Sequence, residues 1–325
     1  MDHKSYRQLL RESLKSNETE EWLDVWFTRP IGLALALACG RVGLTPNAIT
    51  IIGIVLGAMG GWLFHFSDLW HNVWGVVLLM AANFCDSADG QLARLTNQKT
   101  LLGRLLDGFA SDVWFFFIYV SIVVRLWHEP MPFMEMEWQW RGFLLCAIAG
   151  FGCHATQAAL ADYYRQIHLW FLRGDAGSEL SSYEQEQRNY DAAKAGDRRG
   201  WGGWSFDRLY HFFYKGYCRK QERLTPKFQA FFKRVKALPE LLTAASPTSG
   251  DTALSLRERF LSGSRPLMPL TNILTHNIRA IVLFVAVLAN IPYLYPLFEI
   301  VVLMPLYWYM RSRHEHLSET LNMMI

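Results

Sequence analysis

Apolar runs of about twenty residues, the length a membrane helix needs, recur along this chain and are separated by short polar stretches. They lie near 45–66, 72–94, 103–127, 142–172, 268–291 and 293–311. Thr45-Pro46-Asn47 reads as a helix start, with proline in the first turn. Little more than Asn290-Ile291-Pro292 joins the fifth and sixth runs, which predicts a tight hairpin. Upstream, residues 4–27 place Tyr6, Leu9, Leu10, Leu14, Trp22, Leu23, Trp26 and Phe27 along one broad face, the pattern of a helix lying in the headgroup region. Between the fourth and fifth runs the pattern changes: residues 173–266 hold 17 Lys/Arg against 11 Asp/Glu, too many charges to span. The expected fold is all-α and polytopic, with six transmembrane helices. An N-terminal amphipathic helix (1–30) precedes transmembrane helices 1–4 (31–172), a basic insert (173–266), transmembrane helices 5–6 (267–311) and a solvated tail (312–325).

Composition agrees with this division. Hydrophobic residues make up 51%, yet mean hydropathy is only +0.08, so apolar spans coexist with a sizeable aqueous part. A net charge of +3 gives no support to nucleic-acid binding. The first 22 residues lack an apolar core suited to a cleavable signal peptide. The five cysteines, Cys39, Cys85, Cys146, Cys153 and Cys218, show no spacing for a disulfide framework or a zinc site. Charge also sets orientation. Arg94, Lys99, Arg104, Arg311 and Arg313 flank one side of the spans, and Asp68, Glu129, Glu135 and Glu137 the other. The positive-inside rule therefore puts the termini, the aspartates described next and the insert on the cytoplasmic side. Two readings of the insert stay open. Its basic aromatic pieces, Tyr210 to Lys215 and Phe228 to Lys236, suit either helices on an anionic leaflet or a small cap packing on itself.

Against this apolar background, Asp86, Asp89, Asp107 and Asp112 stand out. One Asp at the centre of a membrane helix costs roughly 2.5–3.5 kcal/mol, and several together on the order of 10 kcal/mol if uncompensated. A divalent cation is the natural compensation for carboxylates. Asp86 and Asp89 are three apart, on one face of the second span. Asp107 lies just inside the next, antiparallel span, so three carboxylates can converge between facing helices. Gly90 leaves room for a ligand to approach the backbone, Ala93 keeps the same face small, and Arg94 offers a planar fork for phosphate. The competing structural reading is an ion-pair network with Arg94 and Arg104, which needs neither the glycine nor this spacing.

The series Asp86-x-x-Asp89-Gly90-x-x-Ala93-Arg94, eight residues, Gly103, three residues, Asp107 resembles the signature of the CDP-alcohol phosphotransferases. The resemblance extends to the spacing of spans over about 40–172 and 267–311. It implies an integral membrane enzyme of phospholipid or related polar-lipid synthesis, which transfers a substituted phosphate from a CDP-alcohol to an alcohol acceptor and releases CMP. It implies Mg²⁺ or Mn²⁺, one or two ions, on Asp86, Asp89 and Asp107, with Gly90, Ala93, Arg94 and Asp86 at the CDP site. A homodimer is compatible with it, and membrane lipids are its expected surroundings. The family's fourth aspartate, a metal ligand and the presumed base, falls at position 111, where this chain has Ser111. Serine is no base at neutral pH, whereas Asp112 lies about 100° further round the helix. A π-bulge between 107 and 112 would rotate Asp112 back as base and fourth ligand. The alternatives are activation without this carboxylate, or weakened activity.

The acceptor side is marked by the fifth span, where Asn272, Thr275, His276 and Arg279 recur every three or four residues and form one polar face. Such a face turns toward a cavity or glues helices together. Read as an acceptor site, it has Asn272 and His276 binding hydroxyls and Arg279 a phosphate. That favours CDP-diacylglycerol with inositol, an inositol phosphate or glycerol phosphate over a CDP-choline or CDP-ethanolamine donor with a lipid alcohol. His154, Gln157, Asp162 and Arg165 line the fourth span, the last two as an edge ion pair, and His314 and His316 belong to the tail. Two readings from other classes are a divalent-cation transporter, which would spread acids across the membrane depth, and a catalytically impaired family member, which Ser111 keeps open.

Overall fold

The computed structural model describes residues 5–13, 16, 18–98, 100–196, 205–242 and 254–325. These are helical, with one isolated bridge, Pro130 to Glu137, and no strand among the described residues. Two compact units result: Met1–Ala155 with His276–Val302, and Thr156–Thr275 with Leu303–Ile325. Four helical segments are long and apolar enough to cross a membrane: Pro46–Leu63, Leu102–Leu126, Gln139–Arg173 and Leu256–Leu288. The second expected span is apolar only from Leu69 to Cys85 before Asp86 interrupts it. The sixth is broken by Glu299 and by a π-helical turn at Glu299–Leu303.

In the first unit, α1 (Tyr6–Ser13) is followed by turns, a π-helical turn at Asp24–Thr28, and α2 (Arg29–Arg41). The single helix expected over 4–27 is thus interrupted. The Ser16 hydroxyl accepts the Glu18 amide at 3.2 Å, and such a bond competes with the helical ladder. α2, only 13 residues long, was not among the expected elements because it is too short to read as a span.

Helices α3 (Pro46–Leu63), α4 (Leu69–Leu95) and α5 (Leu101–Leu126) form the centre of this unit. Each begins on a side-chain cap. Thr45, Asp68 and Thr100 accept the amides of Ala48, His71 and Gly103 at 3.3, 3.1 and 2.9 Å. The close approach of α3 to α5 depends on Gly57, where a Cβ would fall 2.1 Å from the Trp114 ring. Trp114 Nε1 in turn donates to the Gly53 carbonyl at 3.1 Å. At the far end of α5, buried Arg125 donates to Phe64 O at 3.2 Å, to Asn72 Oδ1 at 3.1 Å, and to Asn290 Oδ1. One cation thereby ties the ends of α3, α4 and α5 to the turn after α13 (His276–Leu288). In that turn, which leads to α14 (Leu294–Phe298), Asn290 takes φ +60°, a left-handed position asparagine tolerates. α6 (Gln139–Ala147) runs into a second π-helical turn, Ile148–His154.

The second unit holds α7 (Ala155–Arg173), α8 (Tyr183–Gly196), α9 (Phe206–Leu224), α10 (Pro226–Ala237), α11 (Leu256–Ser264), α12 (Met268–Ile273) and α15 (Met304–Met323). Aromatic rings fill its core. Phe171 stacks on Phe260 with centroids 3.8 Å apart, and Tyr164 on His314 at 3.8 Å. Glu315 accepts the first two amides of α10, from Lys227 at 2.8 Å and Phe228 at 3.2 Å, satisfying donors that a helix start leaves open. The described insert helices pack on one another and on α15, while α9 turns Phe206 and Phe213 outward, 66% and 60% exposed. The stretch expected to be a solvated tail is helical instead, because α15 packs against α10 and α11, and His314 is buried.

Candidate active site

The last turns of α4 and the first turns of α5 carry the aspartates, joined by a turn with Asn97 at φ +55°. Asp86 and Asp107 come within hydrogen-bonding reach across the two helices, and the charge of Asp89 acts on Asp86 beside them. Two ionised carboxylates repel at that range, and a bound cation is one way to offset the repulsion. Asp89 is buried and is held from α3. Thr50 Oγ1 lies 2.5 Å from its Oδ2 and 3.1 Å from the Pro46 carbonyl, and the single hydroxyl proton favours the carboxylate. Gly103 brings the first turn of α5 against that of α3, since a Cβ there would lie 2.7 Å from Asn47 Oδ1.

Arg94 folds its guanidinium back over Gly90, where a Cβ would sit 3.3 Å from a guanidinium nitrogen. Two of its nitrogens, Nε and Nη2, are buried without a hydrogen-bond partner among the described residues. Leaving charged donors unmade is costly, and a phosphate oxygen is the partner this fork suits.

The remaining residues are placed differently. α5 is regularly α-helical from Leu101 to Leu126, so no bulge turns Asp112 onto the face of Asp107. Asp112 is exposed and its charge acts on His154. Ser111 Oγ reaches its own helix, at the Gly108 carbonyl 3.5 Å away. Among the described residues no three His, Cys, Asp or Glu side chains form a metal-holding group. The donor chemistry of Asp86, Asp89 and Asp107 nevertheless fits a hard divalent cation, and Asp86 and Asp107 face each other where one would be held.

Of the expected acceptor residues, His276 lies edge-on to Trp114 and Phe115, with centroids 6.1 and 6.0 Å away. Arg279 is buried and donates to Glu299, a residue the periodicity did not single out. Glu299 also accepts from Tyr119 OH at 2.5 Å and Tyr295 OH at 2.6 Å, and contacts His154 Nδ1 at 3.0 Å. A lone carboxylate in an apolar run was the signal that could have found it. Thr50 gave no such signal. Asn272 belongs to the second unit, where its Oδ1 is buried without a hydrogen-bond partner among the described residues.

The first unit is thus a helical membrane bundle presenting paired carboxylates next to a guanidinium. Residues 43–169, which carry the aspartates, match the family model of the CDP-alcohol phosphatidyltransferases. A phosphatidylinositol phosphate synthase of Mycolicibacterium smegmatis is 27% identical over 158 residues, 47% of this chain and 61% of that protein. An archaetidylinositol phosphate synthase of Pyrococcus horikoshii is 35% identical over 77 residues, covering 24% and 37%. A CMP-forming cardiolipin synthase of Streptomyces coelicolor is 30% identical over 95 residues, covering 28% and 43%. For relatives from Aquifex aeolicus and Mycobacterium bovis, the chain spans a third of their length, 33% in each case.

Proposed function

We propose that this protein is an integral membrane transferase that moves a substituted phosphate from a CDP-alcohol to an alcohol acceptor and releases CMP. The observation that carries this reading is the Asp86–Asp107 contact near the unpartnered Arg94 nitrogens over Gly90. Asp86, Asp89 and Asp107 would hold Mg²⁺ or Mn²⁺, whose charge offsets that of the phosphate oxygens. Gly90 and Ala93 leave space for the nucleotide, and Arg94 takes a phosphate oxygen. Six spans follow if α4 and the segment 293–311 cross the bilayer beside the four more apolar segments. Exposed Trp22 and Trp26 suit an N-terminal segment lying in the headgroup region, with termini and site on the cytoplasmic side.

The acceptor hydroxyl must lose its proton as its oxygen bonds to phosphorus and the bond to CMP breaks. Asp112 is the base we assign, because it directly follows Ser111 and its carboxylate is exposed, although the regular α5 keeps it off the face of Asp107. Ser111 contributes at most a hydrogen bond. Asp112→Asn is then expected to lower kcat about a hundredfold with an unchanged KM for the donor, read from initial rates of CMP release. Unchanged kcat would remove Asp112 from the mechanism. Within the first unit, acceptor recognition falls to His276 and, where Glu299 releases it, Arg279. Their polar character favours CDP-diacylglycerol with inositol, an inositol phosphate or another polyol, and the names of the inositol-phosphate relatives support the same branch.

A second reading has Ser111 and the regular α5 behind it: a member that binds the donor without turning it over. One experiment separates the two. Purified protein in detergent, with Mg²⁺ or Mn²⁺, is offered CDP-diacylglycerol, CDP-choline and CDP-ethanolamine, each with pooled polyol and lipid acceptors. Metal-dependent CMP release is the expected result, and the active donor selects the branch. CDP binding without release favours the second reading, and absence of CDP binding ends both.

A further inference from the structure

Arg29 lies outside the segment that matches the family model, yet the fold seats it on the aspartate helix. Its carbonyl accepts Gln91 Nε2 at 3.0 Å, one residue past Gly90. Three residues on, Gly32 abuts the same helix, where a Cβ would fall 2.5 Å from Ser87 Oγ. The Arg29 side chain is closed on Glu20, with Nε 3.1 Å from Oε2 and Nη2 3.2 Å from Oε1. That two-pronged geometry is how a guanidinium takes either a carboxylate or a phosphate.

We propose that Arg29 is a second phosphate-binding residue of this site, and that it exchanges Glu20 for the phosphate that a CDP-alcohol has and CMP lacks. The inference rests on the phosphotransferase reading and adds a residue to it. Three observations support it. Arg29 and Arg94 are close enough for their like charges to act on each other, and Glu20, paired with Arg29, acts on Arg94 as well, beside Asp107 and Asp89. The Arg29 charge also acts on Asp86, on the same helix that the Arg29 carbonyl and Gly32 contact. The two Arg94 nitrogens without hydrogen-bond partners leave the pair of cations short of acceptors. A diphosphate supplies one phosphate for each arginine. Glu20 sits in a turn rather than inside a helix, so giving up its contact disturbs no helical hydrogen bond.

The test is equilibrium binding of CDP and of CMP to the purified full chain in Mg²⁺, each measured against wild type. Arg29→Gln is expected to weaken CDP about tenfold or more while CMP binding stays unchanged. Arg29→Lys, which keeps the charge but loses the fork, recovers part of the loss. Glu20→Gln is expected to tighten CDP severalfold without affecting CMP, because a competing carboxylate is gone. Equal loss of CDP and CMP in Arg29→Gln, or no loss of either, overturns the assignment. So does a Glu20→Gln variant whose CDP affinity is unchanged or lower, and that variant decides the matter alone if Arg29→Gln does not fold. Wild-type protein that binds neither nucleotide would instead end the phosphotransferase reading itself.

Discussion

Asp107→Ala is expected to abolish metal-dependent CMP release, by about a thousandfold or more, in protein that remains folded. Both halves of this expectation follow from where Asp107 sits. It is exposed near the start of α5, away from the Trp114, Phe115 and Ile118 core that holds α5 in the unit. Exposed side chains outside a core or cap change stability little when truncated, within about 0.5 kcal/mol. Its contact is with Asp86, and that contact is the place we assign to the cation. Truncation removes one of two facing carboxylates and leaves Asp86 without an opposite ligand. The combination is diagnostic: a near-wild-type melting temperature in detergent together with lost turnover at every Mg²⁺ or Mn²⁺ concentration. A variant that keeps its rate within about tenfold would remove Asp107 from the metal set and with it the present account of the site. Thr50→Val belongs to the same test at smaller scale, because it removes the hydroxyl on Asp89 Oδ2 without touching a carboxylate.

How much of this was legible beforehand differs from residue to residue. The aspartate cluster was readable because charged side chains in apolar runs are expensive and their spacing fixes a shared helix face. The helices from Pro46 to Arg173 and the cap at Thr45 follow from run length and start signals. α2 escaped because 13 residues give no span signal, and its packing on α4 depends on Gly32 meeting Ser87. The fate of Asp112 was not legible either. A π turn is decided by which carbonyl an amide finds in three dimensions, and α5 keeps its regular register while Ile148–His154 and Glu299–Leu303 do not. Arg279 was read as an inward-facing residue for an acceptor phosphate, and it is buried with Glu299 as its partner. Its partner lies twenty residues later in sequence, beyond any helical period, so the pairing with Glu299 needed the fold.

That pairing carries the second large expectation. Glu299→Gln is expected to destabilise the first unit by about 3–5 kcal/mol, because it leaves the Arg279 charge buried without a counter-charge. The carboxylate gathers donors from four elements: Arg279 on α13, Tyr119 on α5, Tyr295 on α14, and His154 at the end of the π turn after α6. Glutamine keeps the shape and one acceptor oxygen but offers an amide where donors already point. The Arg279→Met, Glu299→Met double variant removes both charges and is expected to be more stable than Glu299→Gln alone, since an apolar pair restores much of what an unpaired ion loses. It does not return to wild type, because Tyr119 and Tyr295 lose their acceptor. Thermal unfolding of the purified chain in detergent, monitored by loss of the monodisperse species, checks both variants. Wild-type stability in Glu299→Gln would mean that Arg279 is not sealed in the bundle, and would leave its guanidinium available for the phosphate of an acceptor. A large loss, relieved in the double variant, assigns Arg279 first to holding the helices, and acceptor recognition within the first unit then rests on His276.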